Sequence, residues 1–190
     1  MSNLNIRKLT VGMLSTNCYI LWADGRDDCV VIDPGAEPAG IREAMGGKRL
    51  AAVLLTHGHF DHIGGVDGLA VNGEPVMVHE ADADMLGDPD KNVSWLAFGA
   101  QTCRPADRTL KEGDVLELAG LHIRVLHTPG HTPGGVCYEI GHDLFTGDTL
   151  FENGGYGRTD FPGGDERQLI ASLRRLMPLR ADHTIHGGHS

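Results

Sequence analysis

His57, His59, Asp61 and His62 place four metal-donor side chains within the run His57-Gly58-His59-Phe60-Asp61-His62. The run follows an apolar stretch, residues 50–55, that reads as a buried strand. In extended chain, side chains two residues apart point the same way, so His57 and His59 can grip one ion together. Asp61 and His62 are adjacent and join them only if the chain turns, and the Gly64-Gly65 pair is expected to make that turn. Imidazoles and carboxylates at this density are the donors of a metal centre.

One such run holds too few donors for two cations, so others must come from elsewhere. His131 sits in Thr128-Pro129-Gly130-His131-Thr132-Pro133-Gly134, where Pro-Gly pairs on both sides restrict the backbone and fix the imidazole beyond a strand. Asp148 ends Asp143-Leu144-Phe145-Thr146-Gly147-Asp148, an apolar strand whose Gly147 permits a close neighbour. His189 follows a short strand and a glycine pair in Ile185-His186-Gly187-Gly188-His189-Ser190. Each donor falls at the end of an expected strand, where sheet-based folds gather their chemistry. His79, His122, His127, His142, His183 and His186 lack ligand spacing and read as structural or surface residues, with His127 close enough to His131 to support it.

Period-two and apolar runs predict the strands that position these groups at 6–11, 18–22, 29–33, 52–56, 76–79, 115–118, 122–126, 136–140 and 144–146. Helices are expected at 39–45, 66–71, 81–86 and 166–177. The last is the clearest: Asp165 caps it with Gln168 in a capping box, Leu169, Ile170, Leu173, Leu176 and Met177 form one apolar face, and Pro178 stops it. Residues 86–108 form the longest irregular segment, either a lid or substrate wall, or a loop packed down by Trp95 and Phe98.

Composition bounds the rest. The 190 residues suit one well-packed domain, 1–190, and the 41% hydrophobic and 22% charged content is that of a soluble globular protein. No apolar stretch approaches a membrane span, and the polar N-terminus is not a signal peptide, so the cytoplasm is the expected compartment. Cys18, Cys29, Cys103 and Cys137 are scattered and read as reduced core thiols. The formal net charge of −10 argues against a nucleic-acid surface.

Together these residues resemble the metallo-β-lactamase superfamily, and within it the small glyoxalase-II-like (hydroxyacylglutathione hydrolase-like) enzymes. Thr16-Asn17-Cys18-Tyr19-Ile20-Leu21 and Val31-Ile32-Asp33-Pro34-Gly35 look like the family's N-terminal hairpin and aspartate-glycine turn. The His-x-His-x-Asp-His run, the Pro-Gly-His turn, Thr146-Gly147-Asp148, Gly157-Arg158-Thr159-Asp160-Phe161-Pro162 and the terminal Gly-His follow in the family's order, so the likeness covers nearly the whole chain. It implies an α/β fold, a four-layered αβ/βα sandwich with a metal site at one edge between two sheets. It also implies that His57, His59 and His131 hold one cation and Asp61, His62 and His189 a second, with Asp148 and a hydroxide bridging them.

These donors contain no thiolate and leave room for water, which argues for catalysis over a closed structural site. The set does not select among zinc, iron and manganese; two divalent cations, zinc first, are the expected cofactors. Such a pair, about 3.5–4 Å apart, brings a shared water toward a pKa of about 7, giving a hydroxide that attacks a carbonyl. Asp61 would orient the hydroxide. A thioester suits this chemistry, because a thiolate leaves without a dedicated acid. The expected reaction is hydrolysis of S-lactoylglutathione or a similar hydroxyacylglutathione, with Tyr156 and Arg158 as substrate contacts; the other reading of Arg158 is an ion pair with Asp160 or Asp165. Full-length glyoxalase II adds a C-terminal helical domain for glutathione, which this chain, ending at Ser190, is not expected to carry. The rival is a mononuclear-iron persulfide dioxygenase, which shares Gly-Arg-Thr-Asp-Phe and would use His57, His131 and Asp148. A β-lactamase is disfavoured because Asp148 stands where those enzymes place another residue type.

Overall fold

The computed structural model describes residues 3–97 and 99–190; Phe98, expected as a loop anchor, lies outside them. Alternation in two adjacent strands decides the layering. In β2 (Thr16–Ala23) and β3 (Asp28–Ile32), Cys18, Ile20, Cys29 and Val31 face one way, and Tyr19, Leu21, Val30 and Ile32 the other. All eight are buried, so both faces of this sheet must be covered. The first face packs on Ile41, Ile63, Val66 and Leu69 from the short helices α1 (Pro38–Ala44), α2 (Phe60–Ile63) and α3 (Val66–Leu69). The second face packs on Ile123, Val125, Val136, Tyr138 and Phe145 of another sheet. That sheet's far side, through Leu126, Cys137, Leu144 and Ile185, is covered by Leu150 and by Leu176 of α4 (Glu166–Leu176). The result is the expected four-layered αβ/βα sandwich.

The first sheet runs in the order β1 (Leu4–Val11), β2, β3, β4 (Arg49–Leu54), β5 (Val76–His79) and β6 (Arg108–Leu110). Its first three strands are antiparallel, and β3 to β6 are parallel. The second sheet has the antiparallel strands β7 (Val115–Leu118), β8 (Leu121–His127), β9 (Val136–Ile140) and β10 (Asp143–Gly147), with β11 (Thr184–Gly187) added parallel to β10.

Several expectations need correction. Strand β6 was missed, because Arg108-Thr109-Leu110 is short and only Leu110 is buried. The helix expected at 81–86 is a 3-10 segment, Glu80–Gly87, and α3 stops at Leu69. The α-helix does end just before Pro178, at Leu176, but a 3-10 turn, Met177–Ala181, follows it with Pro178 near its start, where a missing N–H costs little. Gln168 turns its side chain to the Asp165 carboxylate at 3.2 Å, and Asp165 caps the helix by accepting from Arg167 N and Gln168 N. Ile170 and Met177 are 43% and 49% exposed, so the buried stripe of α4 is narrower than the apolar pattern suggests. Trp95 is also exposed; Asn92 and Val93 anchor that loop. The four cysteines are free and buried. Among the described residues, no helix is long and apolar enough to cross a membrane.

Candidate metal centre

The centre forms where ends of the two sheets are tied together. After β4, Leu55 O accepts from Tyr138 Oη at 2.7 Å, and Thr56 O accepts from Val136 N at 2.8 Å. Gly147, at the end of β10, has φ +48°, and a Cβ there would lie 2.4 Å from Thr56 Oγ1. Glycine is what lets β10 close against this loop. The chain then turns through α2, with His59 at its N-cap, so the turn comes from this short helix and not from Gly64-Gly65. Asp61 and His62 swing back beside His57 as a result.

The seven expected donors converge. Three overlapping trios, His57/His59/His131, His57/His62/Asp148 and Asp61/His62/His189, each bring their donor atoms within 4.8 Å of one another. Asp148 stands between the outer two: its Oδ1 is 3.5 Å from His62 Nε2, and its Oδ2 is 3.5 Å from both His131 Nε2 and His189 Nε2. His189 is held despite its place at the chain end. Gly187 O accepts from Tyr19 Oη and Asn17 Nδ2, and Gly188 O accepts from Asn17 N.

Outer partners aim the imidazoles inward. His62 Nδ1 donates to Asp33 Oδ2 at 2.9 Å, His131 Nδ1 to Arg158 O at 2.7 Å, and His189 Nδ1 to Leu14 O at 3.1 Å. Thr56 Oγ1 donates to Asp33 at 2.6 Å and accepts from His57 Nδ1 at 3.1 Å. Each of these rings therefore keeps the Nε2 lone pair for the centre. His59 differs, presenting Nδ1 2.9 Å from His131 Nε2. Meanwhile His57 Nε2, His62 Nε2 and Asp148 Oδ1 are buried with no hydrogen-bond partner. Leaving such groups unsatisfied costs about 1–3 kcal/mol each, a cost that a divalent cation removes. The residues fit a metal.

The electrostatics divide the cluster. Burial, reinforced by the neighbouring imidazoles, keeps His57 well below its ordinary value and takes His59 down to about 3. For His62, burial is overcome by Asp61, Asp33 and Asp148, which raise it to about 9. For His189, it is overcome by Asp148 and Asp61, which raise it to about 10. Burial likewise opposes the ionised forms of Asp61 and Asp148, yet His62 and His189 hold both below the usual carboxylate range.

A cleft of about 350 Å³ opens over the centre, walled by Leu14, Phe60, Val93, Leu96, Phe151, Tyr156 and Phe161. The irregular segment thus supplies one wall, through Val93 and Leu96. Tyr156 lines the cleft and is exposed. Arg158 reaches the lining too, but its guanidinium is engaged bidentately by Asp160 at 2.5 Å and lies over the Phe161 ring, so the ion-pair reading holds for its side chain. His127 supports the His131 loop by donating to Pro133 O at 2.9 Å, and stacks on His79. Two carboxylates were not singled out from the sequence. Asp33, seen only as a turn residue, orients His62 and Thr56. Asp82 is buried beneath the donor loops.

Comparison with known proteins agrees with this geometry. The sequence pattern of the metallo-beta-lactamase superfamily matches residues 11–189. A probable metallo-hydrolase of Bacillus subtilis, YqgX, is 37% identical over 94% of this chain and 86% of its own length. The hydroxyacylglutathione hydrolase GloC of Haemophilus influenzae is 36% identical over 98% and 91%. Among solved structures, the B3 metallo-beta-lactamase BLEG-1 superposes with a TM-score of 0.88 at 36% identity, covering 98% of this chain and 92% of that one. TTHA1623 in a di-iron-bound form gives 0.83 at 37%, over 97% and 92%. ETHE1 from Myxococcus xanthus gives 0.76 at 30%, over 98% and 76%. With its donors at the joined ends of two sheets and these likenesses spanning its length, the chain belongs to the metallo-beta-lactamase superfamily.

Proposed function

We propose that the centre is dinuclear and hydrolyses a thioester, with S-lactoylglutathione or a similar hydroxyacylglutathione as substrate. The observation that carries this reading is the Asp148 carboxylate, which reaches both donor trios: Oδ2 lies 3.5 Å from His131 Nε2 and from His189 Nε2, and Oδ1 lies 3.5 Å from His62 Nε2. His57, His59 and His131 would hold one cation, and Asp61, His62 and His189 the other, with Asp148 reaching both. Two divalent cations held by these residues would supply a hydroxide at neutral pH and polarise the thioester carbonyl. Asp61, kept ionised and fixed by Thr16 Oγ1 at 2.9 Å, accepts a hydrogen bond from the attacking water and orients it. The apolar walls of the cleft would pack against the acyl group. The leaving thiol, with an ordinary pKa of about 8.5, departs as thiolate and asks for no protein acid. Zinc is the proposed metal; the di-iron form of TTHA1623 makes iron the first alternative. The likeness to GloC supports the glutathione thioester, and the net charge of −10 supports a small-molecule substrate over a nucleic acid.

The likeness to ETHE1 favours a second reading, a persulfide dioxygenase with one iron on His57, His131 and Asp148. Thiol release from S-lactoylglutathione by the zinc- or iron-loaded protein, run beside oxygen uptake on glutathione persulfide and β-lactam hydrolysis, separates these activities. Saturable thiol release without oxygen uptake is expected. Oxygen uptake alone, or β-lactam turnover alone, would overturn the thioesterase reading.

A further inference from the structure

The 3-10 segment Glu80–Gly87 contributes no donor to the centre, yet one of its side chains touches two of the loops that do. Asp82 is 0% exposed. Its Oδ2 accepts from Gly58 N at 3.1 Å and from Thr132 Oγ1 at 2.7 Å, while Oδ1 accepts from Gly134 N at 2.5 Å. Gly58 lies between His57 and His59, and Thr132 directly follows His131. One buried carboxylate therefore links the two chain segments that supply the all-imidazole trio. The approach is close: a Cβ at Gly134 would fall 2.6 Å from Asp82 N and 2.7 Å from Asp82 Oδ1. None of its hydrogen bonds reaches the loops that carry Asp148 and His189.

We propose that Asp82 is a positioning residue that sets the spacing of His57, His59 and His131, and so controls cation affinity at that trio and not at Asp61/His62/His189. The physical reason lies in loop entropy. Each loop alone can shift its imidazoles by rotation at its glycines, Gly58 in one and Gly130 and Gly134 in the other, whereas a shared acceptor with three donors holds both loops to one arrangement. This rests on reading the cluster as a metal centre, and is independent of which substrate that centre hydrolyses.

The test measures zinc affinity by competition with a chromophoric chelator, in two backgrounds. His189→Ala leaves the first trio intact, and His59→Ala leaves the second. Asp82→Asn, nearly isosteric, is expected to weaken zinc by about 10–100-fold in the His189→Ala background and to leave the His59→Ala background within about twofold. Thr132→Val removes one donor and is expected to cost about fivefold in the first background only; it decides the question if Asp82→Asn does not fold. The d–d spectrum of the cobalt-substituted His189→Ala protein should shift with either substitution. Equal losses in both backgrounds, as a general loss of stability would give, overturn the proposal, as does unchanged affinity in both. Failure of the parent protein to bind zinc would overturn the metal-centre reading as well.

Discussion

The two trios at the centre share a carboxylate but are built differently. His57, His59 and His131 are all imidazoles, 2%, 3% and 5% exposed, and burial holds His57 and His59 neutral. Asp61, His62 and His189 mix charge types: the carboxylate is held ionised, and both imidazoles are raised toward their protonated forms. Their partners differ as well. The first trio leans on Thr56, the Arg158 carbonyl and the loops that Asp82 joins; the second leans on Thr16, Asp33 and the Leu14 carbonyl. Metal ligation requires neutral imidazole. His57 and His59, kept low by burial, are therefore ready for a cation at neutral pH, while His62 and His189, raised by their carboxylates, give up protons when they take one.

The largest expected difference comes from removing a donor on each side. His59→Ala should reduce thiol release to background while circular dichroism shows the fold intact; full activity in this variant would break the dinuclear assignment. His189→Ala should keep one cation per chain and lose roughly 10²-fold in kcat, the cost of one charge-stabilising group. Next, Asp33→Asn should weaken metal binding by about 10–100-fold, with the larger loss at the Asp61/His62/His189 trio, because it removes the acceptor that orients His62. Metal analysis of the dialysed variant reads this directly.

The smallest effect is on stability against pH in chelator-stripped protein. His57 and His59 have folded values below the ordinary 6.5, so stability is lost as pH falls below about 6.5 toward 3. His62 and His189 have folded values raised to about 9 and 10, so their contribution is complete below about 6.5 and is lost as pH rises through 9–10. Asp61 and Asp148, depressed below 3.8, add a further loss at the acid end. Thermal melts should show highest Tm near pH 6.5, and added zinc should remove the alkaline decline. A decline at high pH that zinc leaves untouched would mean that His62 and His189 do not change protonation together with metal binding.

The seven side chains that converge were legible as candidate donors because each is marked locally, by neighbours of its own kind or by Gly and Pro at a strand end. The layering was legible for a similar reason: alternation such as Cys18-Tyr19-Ile20-Leu21 states which residues share a face. Asp33 and Asp82 were not, since their roles arise from contacts across 29 and 50 residues, which no local pattern records. Arg158 shows the converse case. Its motif drew attention to the side chain, but the structure uses its backbone carbonyl for His131 and leaves the guanidinium to Asp160. Ile170 and Met177 fall on the expected apolar face of the last helix yet stay exposed, because an apolar stripe gives the direction of a helix face without its width.

The most direct measurement is a titration of chelator-stripped protein with zinc, following bound metal and thiol release from S-lactoylglutathione in the same samples. Activity should stay low through the first equivalent and rise to a plateau at two zinc ions per chain. Full activity at one equivalent, or two bound ions with no thiol release, would contradict a dinuclear thioester hydrolase.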